Sequence, residues 1–318
     1  MPNLNKNLEK DLKKVESLMR KNLSKEPVVS DLYDYIFNKS GKKVRASISL
    51  ISSYGMNKNQ QNRVKLAAII ELLHTATLVH DDIVDNSDLR RGRTTVNVAW
   101  SNSHGVLIGD FIYSKAFMLM NEIGNLKVVD ELSSATNKIA EGELMQLENK
   151  NNLDASLQQL KRISYYKTGR LFEASAKSAA MLSNKSISFI ENISKAAKLI
   201  GIAFQVRDDL LDYGISKGNI GKPEMQDILE DKITYPLYFA LKSSSKKDSS
   251  KILKKLKNKD FSIEEVADFV SSSNAFNKCN SLIQSYSNEI SKCINQISNK
   301  EIRDEMLNLS ESLKNRYE

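Results

Sequence analysis

Glycine and proline are scarce in this 318-residue chain, with 12 and 4 copies, so most of the residues that punctuate sheets and tight turns are missing. That scarcity argues against a turn-rich β architecture and favours long helices. Cysteine is scarcer still. Cys279 and Cys293 lie in a Lys- and Ser-rich segment without metal-ligand spacing, which gives no disulfide framework and points to a reducing cytoplasm. The opening residues MPNLNKNLEKDLKKVESLMRKNL lack the continuous apolar run of a secretion signal or membrane span and read as a soluble amphipathic helix. Also lacking are Cys/His fingers, RNP-like aromatic patterns and an Arg-rich arm, so the net charge of +8 is not read as nucleic-acid binding. The charge suits anionic partners in general, and the Lys-rich stretch 246–259 reads as a solvated helix face.

What is present is helical periodicity. From Val64 to Asp85, Leu66, Ile69, Ile70, Leu73, Thr77 and Leu78 recur at helical spacing without a Gly or Pro. After a polar stretch, 86–102, a helix is predicted over 106–123, apolar all round and therefore buried. Helices are also predicted over 126–149, 157–182 and 187–213, and again through the charged remainder. The clearest loop runs from Gly214 to Pro223 and is a candidate lid. With no tandem repeat and no dividing linker, the expectation is one all-α domain spanning residues 1–318.

One short acidic motif occurs twice. His80-Asp81-Asp82-Ile83-Val84-Asp85 sets Asp81 and Asp85 four residues apart, so on a helix both carboxylates leave one face. Asp208-Asp209-Leu210-Leu211-Asp212 repeats this D-D-x-x-D spacing 127 residues later (208 minus 81). Like charges at this spacing destabilise an isolated helix, and neither motif contains Lys or Arg, so both ask for a cation. Oxygen-only ligands suit Mg²⁺, which takes few carboxylates and keeps water and phosphate oxygens; calcium and zinc fit less well. A single copy is as readily solvated surface or a helix cap. The second copy, and the apolar residues interleaved with both, tip the reading towards a site. Compact basic groups, Gly41-Lys42-Lys43-Val44-Arg45, Arg90-Arg91-Gly92-Arg93 and Tyr166-Lys167-Thr168-Gly169, can each anchor phosphate oxygens, although any one alone is ordinary surface.

Taken in order, Gly41-Lys42-x-x-Arg45, Leu73-His74, the first acidic motif, Arg90-Arg91-Gly92, Lys167-Thr168 and Gln205-x-x-Asp208-Asp209 resemble the trans-isoprenyl diphosphate synthases. The resemblance covers roughly residues 30 to 240. The stretches HTATLVHDDIVD, VLIGDFIYSKAF, NLKVVDELSSATNKIAEGELMQL and YYKTGRLFEASA are similar to the bacterial octaprenyl diphosphate synthases within that family. The implied fold is the isoprenoid synthase type, a large all-α bundle around a central apolar cavity. The implied activity is Mg²⁺-dependent condensation of an allylic diphosphate, farnesyl diphosphate being the expected primer, with successive isopentenyl diphosphate units. The expected product is a medium or long all-trans chain, octaprenyl diphosphate, destined for quinone side chains.

Carried over by position, the resemblance implies that Lys42, Arg45, His74 and Arg91 hold isopentenyl diphosphate, while Arg90, Lys167, Thr168 and Gln205 contact the allylic substrate. It implies Mg²⁺ at Asp81 and Asp85 on one wall and at Asp208 and Asp212 on the other. Asp82 and Asp209 support them, and Lys222 and Lys232 reach the leaving diphosphate. The released diphosphate removes the proton, so His74 need not be catalytic. The growing chain is expected to run along the first helix past small Ala76, then Leu72 or Leu73, then Ile69, with Phe117 a candidate floor. Short-chain relatives carry a bulky aromatic near Ala76. Relatives also suggest a homodimer, and a cytoplasmic location with transient membrane association for product release is expected. Ala46 departs from the family's usual Pro; Met225 and Asp231 stand where Gly is usual, and Asp231 is expected to weaken the phosphate contact of Lys232. Two other readings stay open, a class I terpene cyclase or head-to-head condensing enzyme and a non-catalytic subunit of a two-component synthase.

Overall fold

A computed structural model of the chain describes residues 4–21, 24–38, 41–55, 60–90, 92–150, 152, 154–214 and 225–314. The described chain is almost entirely helical. The N-terminal part comprises α1 (Leu4–Arg20), α2 (Pro27–Phe37), α3 (Val44–Ser52) and the long α4 (Gln60–Val84). A two-residue hairpin, β1 (Leu89–Arg90) with β2 (Arg93–Thr94), turns at Gly92, whose φ of 72° is free of strain only for glycine. Then come α5 (Val96–Ala99), α6 (Asn102–Ile123), α7 (Leu126–Glu148), α8 (Leu157–Ser164), a π-helical turn (Tyr165–Gly169), α9 (Arg170–Leu182) and α10 (Ile187–Asp212). The last part holds α11 (Gln226–Leu229), α12 (Tyr235–Ser243), α13 (Lys246–Asn258), α14 (Ile263–Ser271), α15 (Ala275–Asn295) and α16 (Lys300–Lys314).

The sequence marks these starts chemically. The side chains of Ser101, Asn125, Ser156 and Ser186 accept backbone N–H bonds at the N-termini of α6, α7, α8 and α10, and Ser156 with Gln159 forms a reciprocal capping box. One apolar core gathers around α4, α6, α7 and α9. A second gathers around α10, α15 and α16, and a smaller one joins α12, α13 and α14. The functional consequence is that α4 and α10, each anchored in one of the two large cores, bring their C-terminal ends to a shared space.

α1 is fastened at its C-terminus by an unusual donor. Lys115 of α6, almost fully buried, donates from Nζ to the carbonyls of Met19 (2.8 Å) and Lys21 (2.6 Å) and to the Tyr33 hydroxyl (2.6 Å). Tyr33 itself donates to the Met19 carbonyl. An ammonium at the negative end of a helix satisfies carbonyls that have no intrahelical partner.

Two expectations change. The single helix predicted over 157–182 is α8, a π-helical turn and α9 in succession, because the Lys167-Thr168-Gly169 segment is squeezed between α7 and α10. A Cβ on Gly142 of α7 would lie 2.7 Å from the Tyr166 Cβ, and one on Gly201 of α10 would lie 2.7 Å from the Gly169 Cα. Nor is α6 buried all round. It packs one face on α4 through Gly105 and Gly109, which admit Ile83 and His80, and leaves Val106, Leu107, Phe117 and Met118 exposed. The predicted loop 214–223 lies, beyond Gly214, outside the described residues.

Candidate active site

Carboxylates at the C-terminal end of a helix oppose its macrodipole, so a sequence that puts three of them at the end of both α4 and α10 requires nearby cations. The structure supplies cations from several segments. A cavity of about 950 Å³ is lined by Asp81, Asp82 and Asp85 on one side and Asp208, Asp209 and Asp212 on the other. Lys42, Arg45, His74, Arg90, Lys167, Thr168, Gln205 and Lys232 line the same cavity. Arg91 and Lys222, also expected there, lie outside the described residues.

The six aspartates divide into two kinds. Asp82 and Asp209 are buried supports. Asp82 accepts a bond from Arg90 Nε, so Arg90 is engaged with the first motif itself. Asp209 accepts from Gln205 Nε2 (2.9 Å) and from the backbone N–H of Tyr235 (3.2 Å). Gln205 in turn accepts from the Thr168 hydroxyl at 2.8 Å. Burial pushes the Asp209 carboxyl well above its ordinary range, and Asp227 adds to that shift.

The other four face the cavity. Burial raises Asp81, as does nearby Asp85, while Lys167 and Arg90 act in the opposite direction. A half-buried carboxylate of this kind is one whose ionised form a bound cation would favour. Asp85 receives Lys232 Nζ at 2.8 Å and Lys150 Nζ at 3.7 Å; burial opposes its charge, but Lys232 and the other lysines hold its pKa below the usual range. Asp212 accepts the backbone N–H groups of Gln226 (3.1 Å) and Asp227 (3.2 Å), at the start of α11. Among the described residues no three acidic, His or Cys side chains converge tightly enough to hold an ion alone. This donor set fits Mg²⁺, which takes one or two carboxylates and completes its octahedron with water and phosphate oxygens.

The cationic side is equally organised. Arg45 Nη1 lies 3.0 Å from His74 Nε2, and its guanidinium stacks over Phe172 at 4.5 Å. Lys232 bridges Asp85 and Glu230; burial works against its charge, yet Asp227, Asp85 and Glu230 outweigh it and raise its pKa. The expected interference from Asp231 is corrected, because that carboxylate pairs with Lys259 at 2.5 Å. The two departures from glycine have a backbone meaning: Met225 and Asp231 both sit in the left-handed region, with φ of 60° and 61°. Ala46, at the family's usual proline, donates its N–H to Glu71 Oε1 at 2.9 Å, a bond proline cannot make.

Several residues in the site were not singled out from the sequence. Glu143 pairs with Lys167 at 2.7 Å, and burial, with Asp81 adding to it and Lys167 opposing, raises its pKa to about 7. A lone Glu on a helix reads as solvated; the available signal was Gly142 beside it, which marks the close approach to Lys167. Glu16, Arg20 and Arg93 also line the cavity. Along the expected tunnel the packing is closed. Ala76, Leu72, Leu73 and Ile69 are fully buried in the core, whereas the α4 wall of the cavity is made by His74, Thr75, Thr77, Leu78 and Val79. Phe117 is on the surface, stacked on Tyr113, and is no floor.

Residues 26–273 match the family model for polyprenyl synthetase. The chain belongs to the polyprenyl synthetase family. It is 41% identical over 214 residues to the octaprenyl diphosphate synthase of Escherichia coli (strain K12), a match covering 67% of this chain and 66% of that protein, just under two thirds of its length. It is 37% identical over 258 residues to the all-trans-nonaprenyl-diphosphate synthase (geranyl-diphosphate specific) of Rhodobacter capsulatus, covering 80% of this chain and 79% of the relative. A polyprenyl synthase from Caulobacter crescentus CB15, solved with calcium and isoprenyl diphosphate, superposes with a TM-score of 0.92 at 28% identity, covering 99% of this chain and 97% of that one. These polyprenyl synthetase relatives support the all-α isoprenoid synthase fold expected from the motifs. No helix among the described residues is long and apolar enough to cross a membrane.

Proposed function

We propose that this chain is a trans-polyprenyl diphosphate synthase that condenses an allylic diphosphate with isopentenyl diphosphate units. The observation that carries the reading is the single cavity in which both acidic motifs meet Lys42, Arg45, His74, Lys167 and Lys232. Asp81 and Asp85 would hold Mg²⁺ on one wall, Asp208 and Asp212 on the other. Mg²⁺ bound there would neutralise the allylic diphosphate and make it a better leaving group. Lys167 and Lys232 face the same region and stabilise the charge that builds on the departing oxygen as the carbon–oxygen bond breaks. Lys42, Arg45 and His74 hold the second diphosphate, so that the isopentenyl double bond is aimed at the allylic carbon. The diphosphate released is the base that takes the proton, which leaves His74 a binding role. Leu78, Ile139, Phe172 and Phe204 line the cavity with apolar surface that keeps water from the allylic cation.

The relatives named above make eight- and nine-unit products, and the second is specific for geranyl diphosphate. We assign an octaprenyl product and a farnesyl primer to this chain, with quinone side chains as the destination. A long product has to part the packed residues around Ala76 and Leu73. The single domain over residues 1–318, the cytoplasmic location and transient membrane contact during product release belong to the same reading. So does a homodimer, supported by the exposed apolar face of α6 and by exposed Leu144 and Leu147 of α7. A terpene cyclase needs no second diphosphate site, so the cluster of Lys42, Arg45 and His74 favours the synthase.

The test is incubation with farnesyl diphosphate and labelled isopentenyl diphosphate, with and without Mg²⁺, and separation of products by chain length. Long all-trans products that require the metal support the proposal. A correctly folded protein that elongates no primer with any divalent metal sinks it.

A further inference from the structure

Lys43, at the entrance to α3, has φ 47° and ψ 43°, a left-handed backbone that is costly for any residue with a Cβ. It is not a glycine position filled by chance, because its side chain is tied down. Lys43 Nζ donates to Glu16 Oε2 at 2.8 Å, with the lysine side chain only 12% exposed. Arg20 takes the other oxygen, Glu16 Oε1, from both Nε (3.1 Å) and Nη2 (2.9 Å). Both oxygens of Glu16 are therefore committed, and the carboxylate has a fixed orientation at the rim of the cavity. Two guanidinium- or ammonium-bearing partners on one carboxylate leave that rim with a positive balance, as a diphosphate needs.

The backbone at Lys43 decides where its neighbours point. Lys42 precedes it and Arg45 lies two residues beyond, in the first turn of α3, so the turn at Lys43 sets both relative to the cavity. On the other side, the Ala46 N–H is taken by Glu71 of α4, so the segment from Gly41 to Ala46 is braced by one carboxylate from α1 and one from α4. α1 lies wholly before the residues that match the family model, and its end is fastened by Lys115 and Tyr33. Resting on the function proposed above, we propose that Glu16 is a positioning residue for isopentenyl diphosphate: by holding Lys43 in the left-handed conformation it sets Lys42 and Arg45 around the second diphosphate.

The test is steady-state elongation by the full-length chain, with isopentenyl diphosphate varied at saturating farnesyl diphosphate and the reverse. Glu16→Gln is expected to raise KM for isopentenyl diphosphate about tenfold, the factor equivalent to ~1.4 kcal/mol. kcat and the KM for farnesyl diphosphate stay within about twofold, a split that general destabilisation would not give. Adding Lys43→Gly to Glu16→Gln is expected to recover most of the loss, since glycine adopts this φ without the ion pair. An unchanged KM for isopentenyl diphosphate in Glu16→Gln, an equal rise for both substrates, or failure of the double variant to recover overturns the inference. A wild-type protein that does not elongate at all instead overturns the proposed function, so the two failures are told apart.

Discussion

The ammonium of Lys232 lies 2.8 Å from the carboxylate of Asp85, joining the end of the first acidic motif to the segment that follows the second, 147 positions away in sequence. A lysine in this place has two tasks. It holds Asp85 ionised and oriented, and it presents a cation to the diphosphate cavity. Lys232→Met is expected to lower kcat/KM by about 100-fold, the size of effect seen when one preorganised charge is removed from a developing anion. The check is product formation at saturating Mg²⁺, with circular dichroism to show an unchanged helical fold.

Metal dependence has a readout apart from turnover. Mg²⁺ with inorganic pyrophosphate, at about 100 times the dissociation constant, should stabilise the folded chain by roughly 2.7 kcal/mol and raise Tm by a few degrees. Asp81→Asn and Asp208→Asn are each expected to abolish this shift while leaving the metal-free Tm within about two degrees. EDTA should reverse the shift in the parent protein. A full shift in either variant would remove that aspartate from the metal site.

Buried Lys115 makes stability depend on alkaline pH. Its pKa is lowered from the ordinary 10.5 to about 8, by burial first and by Lys21 second. Between those values the unfolded chain binds the extra proton, so this residue's contribution makes stability rise with pH from about 8 to about 10.5. Lys115→Met removes that rise, and it also frees the carbonyls at the end of α1. Urea melts of both proteins at pH 7.5 and 10 should differ in slope with pH as well as in midpoint.

Asp231 separates backbone cost from charge. Replacing it by Ala loses the pair with Lys259 and keeps a Cβ at φ 61°; replacing it by Gly loses the same pair and relieves the backbone. Asp231→Gly should therefore be more stable than Asp231→Ala by about 1 kcal/mol. Equal midpoints in chemical denaturation would mean the left-handed turn is not retained in solution.

Much of this was legible in the sequence because it is written in local spacing. D-D-x-x-D fixes two carboxylates on one helical face, and an uninterrupted apolar period fixes α4, α7 and α10 to within a few residues. What sequence left hidden depends on neighbours distant in the chain. Whether α6 is buried all round is decided by what lies opposite Leu107, and Glu143 becomes part of the site only because α7 passes the Lys167 turn at Gly142. Glu16 belongs to a helix outside the family match. The closed packing around Ala76 is a matter of volumes, which no periodicity reports.

The π-helical turn at Tyr165–Gly169 also sets angular phase. Leu160 of α8 and Phe172 of α9 share one core although they are twelve positions apart, a separation that leaves an ideal α-helix about 120° out of register. A π-turn accommodates one additional residue, removing about 100° of that mismatch. Deleting a single residue there would accordingly leave Leu160 and Phe172 eleven positions apart, only about 20° out of register in a continuous α-helix, so the core on either side would survive while the turn that carries Lys167 was lost.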